Sequence, residues 1–139
     1  MADTKYGKYL TKNCIREGKE GGTIMSTRHL DSFGEGHFSI DCGYIKSPHL
    51  MIPEPHRHEF AQYICFFSAN PNVATDFDAE IEMSLGEEQE KQIITAPTVA
   101  YVPAGLPHGP LNFTKVNKPI LFVDIAMTAN YSRVGDAKK

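Results

Sequence analysis

Short apolar or alternating segments recur along this chain, and no long stretch keeps the 3.6-residue period of an amphipathic helix. Strands are predicted where such segments lie between turns rich in glycine and proline. They cover residues 37–45, 63–67, 80–85, 99–102 and 120–127. Many short strands separated by turns are typical of a sandwich or a barrel, so the pattern predicts an all-β fold.

The same pattern divides the chain into three parts. We expect a lead-in or strand arm over residues 1–27, one β-barrel over residues 28–128 and a polar tail over residues 129–139. Residues 87–91 could form a helical turn, but the flanking strands favour a solvated hairpin tip. With 139 residues, the chain has room for one such domain.

Composition and charge narrow the class of partner. Hydrophobic residues make up 41% of the chain and charged residues 22%, as in ordinary globular proteins. The net charge of −3 gives no basic field for nucleic acid or an anionic membrane, which leaves small, neutral or cationic partners open and selects none of them. No segment has the pattern of a signal peptide or a membrane span, and the three widely spaced cysteines match no disulfide or zinc framework. We therefore expect a cytoplasmic protein with reduced thiols.

A first candidate site lies in residues 55–62, which read PHRHEFAQ. Alternate side chains of an extended strand share a face, which would place His56, His58, Phe60 and Gln62 on one side. Two imidazoles at this spacing can bind one metal ion, and the carbonyl oxygen of Gln62 could add a ligand from the same face. In a chain with six histidines, such a pair is weak evidence by itself.

A second candidate site lies in residues 103–112, which read PAGLPHGPLN. Proline fixes one backbone angle and glycine accepts a positive one, so the turn restricts the direction of His108. This histidine follows the turn where the interior of a barrel would begin. We therefore expect it to face the same interior as the first pair.

Together the two stretches resemble the two signature motifs of the cupin superfamily. His56-x-His58-x-x-x-Gln62 is similar to HxHxxxE, with Gln in the place of the usual Glu. Pro103-x-Gly105-x-x-His108-x-x-x-Asn112 has the complete core of PxGxxHxxxN, and the two motifs occur in the expected order. Residues 66–125 are also similar to a group of uncharacterised bacterial cupins that lends no known reaction.

This resemblance implies a double-stranded β-helix, or jelly-roll barrel, that is often a homodimer. It also implies a divalent metal ion inside the barrel, with Fe, Mn, Zn or Ni as candidates, and the ligands His56, His58, Gln62 and His108. Because an amide brings no negative charge, such a site would hold its ion more weakly and make it a stronger Lewis acid. Alternatively, Gln62 is not a ligand and water completes a three-histidine site, or the barrel has lost its metal.

Two main classes of function remain open. A metal-dependent enzyme would act on a small molecule as a Lewis-acid isomerase or lyase, which a neutral Gln62 slightly favours, or as a dioxygenase. A non-catalytic module would bind a metal or a small ligand without transforming it, and a structural barrel is a third, weaker alternative. No catalytic acid–base residue is evident. His29, His37 and His49 stand outside any motif, so we expect them in surface or turn positions.

Overall fold

The computed structural model describes residues 4–12, 14–18, 22–28, 30, 33–34, 36–129 and 131–134. Within them, a 3₁₀ turn at Gly7–Tyr9 precedes ten strands. The strands are β1 (Ile15–Glu17), β2 (Thr23–Ser26), β3 (Ser39–Ile45), β4 (His49–Ile52), β5 (Gln62–Ser68), β6 (Ala79–Leu85), β7 (Glu90–Ile94), β8 (Thr98–Val102), β9 (His108–Val116) and β10 (Ile120–Ala126). No helix among the described residues is long and apolar enough to cross a membrane.

The strands form two antiparallel sheets. The larger sheet has the order β1-β2-β3-β10-β5-β8, and the smaller has the order β4-β9-β6-β7. Strands that are far apart in sequence pair directly, as β3 does with β10 and β4 with β9, which is the connectivity of a jelly roll. The all-β prediction is confirmed. Each of the five predicted strands coincides with an observed one to within one or two residues.

The observed strands also correct the sequence interpretation near the first histidine pair. Residues 56–62 were expected to form one extended strand, but β5 begins only at Gln62, and His56 makes an isolated bridge to His108 instead. Residues 86–89 form the turn between β6 and β7, as the hairpin interpretation predicted. The alternating pattern did not predict β9, because glycine and proline at its second and third positions read as a turn.

The core lies between the inner faces of the two sheets. Three phenylalanines span it: the ring centroids of Phe66 and Phe122 are 5.5 Å apart, and Phe113 lies 6.2 Å from Phe66 and 6.0 Å from Phe122. Phe66 and Phe113 are fully buried. Because a strand rises about 3.3 Å per residue, this aromatic cluster lies roughly 13 Å further along β5 than Gln62. The apolar cluster therefore fills one part of the barrel and leaves polar side chains near the start of β5.

Candidate functional site

Three histidines converge at the start of β9. The ring centroids of His56 and His108 are 4.3 Å apart, those of His56 and His58 are 4.8 Å apart, and those of His58 and His108 are 5.1 Å apart. The nitrogen that each offers lies within 4.8 Å of the other two. His58 and His108 are buried, and His56 is partly buried. These three side chains are called the histidine cluster below.

Backbone hydrogen bonds hold the cluster in place. His56 and His108 exchange two N–H···O=C bonds of 2.9 Å each, and the N–H of Gly105 donates to the carbonyl of His58 at 2.8 Å. Gly105 has a φ of 84°, so the turn uses the positive backbone angle expected of it. Residues 56–58 thus pair with residues 105–108, and this pairing fixes the backbone positions of all three imidazoles.

Glycine is also required at the position after His108. Gly109 has a φ of 104°, and a Cβ atom there would lie 3.0 Å from the carbonyl oxygen of Glu54 and 3.4 Å from the Cα of Pro55. The bridge to His56 draws the chain at residues 54–55 against this glycine. A side chain at position 109 would therefore push apart the two segments that carry the histidines.

Hydrogen bonds to carbonyl groups determine which ring nitrogens carry protons. Nδ1 of His58 donates to the carbonyl of Ser132 at 2.5 Å, and Nδ1 of His108 donates to the carbonyl of Leu106 at 3.2 Å. Since a carbonyl only accepts, the neutral form of each ring has its lone pair on Nε2. Among the described residues, neither buried ring nitrogen of His56 has a well-formed hydrogen bond, although the backbone of Glu54 acts to raise the pKa of this ring. The cluster therefore presents nitrogen lone pairs as a metal ligand requires.

Burial keeps these imidazoles neutral. Desolvation, followed by the nearby charges of His108 and Arg133, lowers the pKa of His56 from 6.5 to about 3. Desolvation also lowers the pKa of His58 and of His108, and the hydrogen bonds to Ser132 and Leu106 act in the opposite direction. Neutral imidazole is the form that binds metal ions, so no proton has to leave the cluster at neutral pH.

Tyr131 lies over the cluster. Its hydroxyl is 3.1 Å from Nε2 of His58, and because that nitrogen is the acceptor, the phenol donates the hydrogen bond. Its ring centroid is 4.7 Å from that of His58 and 3.9 Å from Cζ of Arg28. Burial, followed by the charge of Asp124, raises the pKa of Tyr131, so the phenol keeps its proton. Residues 131–134 belong to the part of the chain expected to be a polar tail, and here Tyr131 and Ser132 contact His58.

Gln62 joins a charged network in the wall of the cavity that His108 also lines. Its Nε2 donates to Oδ1 of Asp124 at 2.9 Å, whereas its buried Oε1 has no well-formed hydrogen bond among the described residues. The Gln62 side chain also interacts with the hydroxyl of Tyr131, an interaction that acts to lower the pKa of that phenol. Arg28 lies between two carboxylates, with Nη1 2.7 Å from Oδ2 of Asp41 and Nη2 3.0 Å from Oδ2 of Asp124. Arg16 also pairs with Asp41. Asp41 and Asp124 face each other on β3 and β10, so the network follows one face of the large sheet.

A cavity of about 750 Å³ joins these groups. Its lining includes Gln62, His108 and Tyr131 at one side, the charged residues of the network, and apolar side chains of β4, β9 and β10. The volume is in the range of small-molecule sites in proteins. The arrangement provides space for a small ligand next to the histidine cluster.

Solved structures identify the fold. The chain is similar to the oxalate decarboxylase of Bacillus subtilis, which has Mn(II) centres, with 14% identity and a TM-score of 0.54 over 88% of this chain and 30% of that one. It is also similar to AerE from Microcystis aeruginosa, with 16% identity and a TM-score of 0.52 over 81% of this chain and 44% of that one. The chain has the cupin fold. It spans less than half the length of each of these two proteins.

A cupin protein from Bacteroides fragilis aligns with 93% of this chain and 92% of its own, at 12% identity and a TM-score of 0.49. No family model matches the sequence, and no curated protein matches it. At these identities, the likeness to the oxalate decarboxylase and to AerE establishes the fold and not the reaction.

The cupin motifs led us to expect His56, His58 and His108 in one place. The structure brings these three side chains together, and Gln62 lines the same cavity as His108. His37 is exposed, His49 stacks on Phe113 outside the cluster, and His29 lies outside the described residues.

Sequence reasoning missed Arg28, Asp41, Asp124 and Tyr131. The two aspartates gave a signal, because each interrupts an apolar strand at an inward position where a charge requires a partner. Tyr131 gave none, because its short polar surroundings are typical of a solvated terminus.

Proposed function

We propose that this cupin is a metal-dependent enzyme that acts on a small molecule, and that His56, His58 and His108 hold its divalent metal ion. The observation that carries the proposal is the convergence of three neutral imidazoles, with ring nitrogens within 4.8 Å of one another, beside a cavity. Three protein ligands leave coordination positions open for a substrate, as in catalytic metal sites.

The side chains of the cluster fit a metal ion. His56 has two buried nitrogens without a well-formed hydrogen bond among the described residues, which costs free energy in the metal-free protein, and coordination through one of them would reduce that cost. His58 and His108 each use Nδ1 to bond a carbonyl, as metal-binding histidines typically do with the nitrogen that does not face the ion. An all-imidazole set suits zinc, iron, nickel or copper better than calcium or magnesium.

Gln62 is proposed as a further ligand through its carbonyl oxygen. Because its Nε2 donates to Asp124, the amide is oriented, and the unpartnered Oε1 is the atom that remains for a metal ion. This ligand adds no negative charge, so the bound ion would keep its full charge among neutral side chains.

A bound ion would supply Lewis-acid chemistry for an isomerase or a lyase, or, if it is redox-active, dioxygen chemistry. The side chains around it have roles of their own. Phe60 stacks on His58 at a centroid distance of 4.7 Å, and this contact shields the imidazole from water. The phenol of Tyr131 holds its proton at neutral pH and donates a hydrogen bond, so its hydroxyl is suited to bind a substrate oxygen near His58.

The test is the metal content of the purified protein, measured by elemental analysis after reconstitution with each candidate ion. We expect near-stoichiometric metal in the wild-type protein and in His49→Ala, and its loss in His108→Ala. Equal metal content in the two variants would contradict the assignment of the site. If the protein binds metal but turns over no candidate substrate, the non-catalytic binding module becomes the better description.

A further inference from the structure

Among the described residues, the lining of the cavity has more cationic than anionic side chains, although the whole chain has a net charge of −3. Four cationic side chains and two carboxylates, those of Asp41 and Asp124, belong to this lining. The cations are Arg16, Arg28, Lys46 and Arg133. A concave surface with an excess of one sign concentrates ligands of the opposite sign, so the cavity favours an anion over a neutral molecule.

Two guanidinium nitrogens of Arg28 have no well-formed hydrogen bond among the described residues. Nη1 donates to Asp41, whereas Nε and Nη2 are buried without such a bond, and Nη2 forms an ion pair with Oδ2 of Asp124 at 3.0 Å. Nε and Nη2 lie on the same edge of the planar guanidinium group. That edge can donate two parallel hydrogen bonds to the two oxygens of one carboxylate. The side chain of Arg28 is only 14% exposed, so such bonds would form largely away from water.

The geometry of Arg28 favours a carboxylate over a phosphate. One guanidinium edge satisfies a planar carboxylate, whereas a phosphate dianion usually has further donors such as the N-terminus of a helix or a loop of backbone N–H groups. The single helical turn of the described residues, Gly7–Tyr9, does not line the cavity. The two aspartates in the wall also oppose a second negative charge on the ligand.

The ring of Tyr131 links this wall to the histidine cluster. One side of the phenol ring lies 3.9 Å from Cζ of Arg28, and the ring centroid lies 4.7 Å from that of His58. His108 and Arg28 both line the same cavity. A molecule of a few heavy atoms could therefore contact the guanidinium group with one end and face the histidines with the other.

We propose that the cavity binds a small organic carboxylate, with the carboxylate group on the Nε and Nη2 edge of Arg28 and its remaining polar atoms facing the histidine cluster. The statement that this anion is the substrate rests on the function proposed above. Binding of the carboxylate itself does not, because Arg28, Arg16 and Asp41 are in place without a metal ion.

Binding is tested by calorimetric titration of the metal-free protein, freed of chelator, with pyruvate, malate and benzoate. The uncharged diamide of malate and inorganic phosphate serve as comparison ligands. We expect saturable binding of at least one carboxylate and none of the diamide. Arg28→Lys keeps the charge and removes the planar fork, so it should weaken carboxylate binding about tenfold or more. Arg57→Gln removes an exposed arginine outside the cavity and should leave the affinity unchanged.

Circular dichroism checks that each variant is folded. If Arg28→Lys does not fold, Arg16→Gln gives the same test at the more exposed end of the wall, where we expect a severalfold loss of affinity. Equal affinities in the wild-type protein and in the folded wall variant would overturn the proposal. Binding of phosphate in preference to every carboxylate would also overturn it, as would the absence of saturable carboxylate binding.

His108→Ala separates this proposal from that of the metal site. The variant should lose metal and still bind the carboxylate, because the carboxylate group itself is proposed to lie on Arg28 and only the remaining polar atoms of the ligand face the histidines. A wild-type protein that binds metal but no carboxylate would refute the inference and leave the proposed function intact. A wild-type protein that binds the carboxylate but no metal would support the inference and contradict the proposed function.

Discussion

Acid should destabilise the metal-free protein through His56 in particular. Desolvation lowers the pKa of this imidazole to about 3, against 6.5 for an ordinary histidine. Below pH 6.5 the unfolded chain therefore binds a proton at His56 that the folded chain does not bind. The free energy of unfolding then falls as the pH falls, until the pH approaches the pKa of the folded state.

The size of this effect follows from the two pKa values. The full shift would reduce the free energy of unfolding by about 2.3 kcal/mol between about pH 6.5 and about pH 4.5. Because His56 is only partly buried, solvent screens part of the interaction, and discounting the shift by half leaves about 1.7 kcal/mol. Substitution by asparagine removes the titrating group, so His56→Asn should lack this part of the acid sensitivity.

The measurement is urea unfolding of metal-free wild-type protein and of His56→Asn at both pH values. Other groups also titrate in this range. The informative quantity is therefore the loss of unfolding free energy on acidification in the wild-type protein minus the same loss in His56→Asn. His37→Asn is the matched control, because it removes an exposed histidine and should behave as the wild type does. If His56→Asn loses as much stability on acidification as the wild-type protein, His56 is not held neutral by burial and the reasoning is wrong.

Three further substitutions test the surroundings of the histidine cluster. Tyr131→Phe removes the hydroxyl that occupies Nε2 of His58, so metal affinity measured by competition with a chelator should rise about fivefold; a fall would mean that the phenol is itself a ligand. Gln62→Glu places a carboxylate beside Asp124, so the metal-free protein should lose about 1–3 kcal/mol of unfolding free energy in urea, while metal affinity should rise if position 62 is a ligand. Gly109→Ala should cost about 1–3 kcal/mol in the same assay, and a stability equal to that of the wild type would contradict the close approach seen there.

The sequence predicted those parts of the molecule in which local chemistry determines the structure. Strands β3, β5, β6, β8 and β10 were predictable because their buried apolar side chains alternate along the chain. The bridge between His56 and His108 was not predictable, because it joins an irregular segment to the first residue of β9 by long-range pairing that no local pattern encodes. The three histidines were still identified, because their spacing within two motifs reflects a fold that brings the motifs together.

The charged network was hidden from sequence reasoning for a different reason. Asp41 and Asp124 face each other only because β3 and β10 pair in one register, and Arg28 reaches both from the segment that follows β2. A charge within an apolar strand predicts that a partner exists, but it does not predict which residue is the partner. The contact of Tyr131 with His58 likewise depends on where the chain returns after β10.

The network also gives a physical reason for an amide at position 62. Asp124 already places a negative charge next to this position, and a glutamate there would add a second one in a buried setting where like charges repel strongly. An amide avoids the repulsion, since its Nε2 donates to Asp124 and its Oε1 remains unpartnered. In this chain the carboxylate of Asp124 on β10 is thus paired with Arg28, so its charge balances that guanidinium group instead of the proposed metal ion.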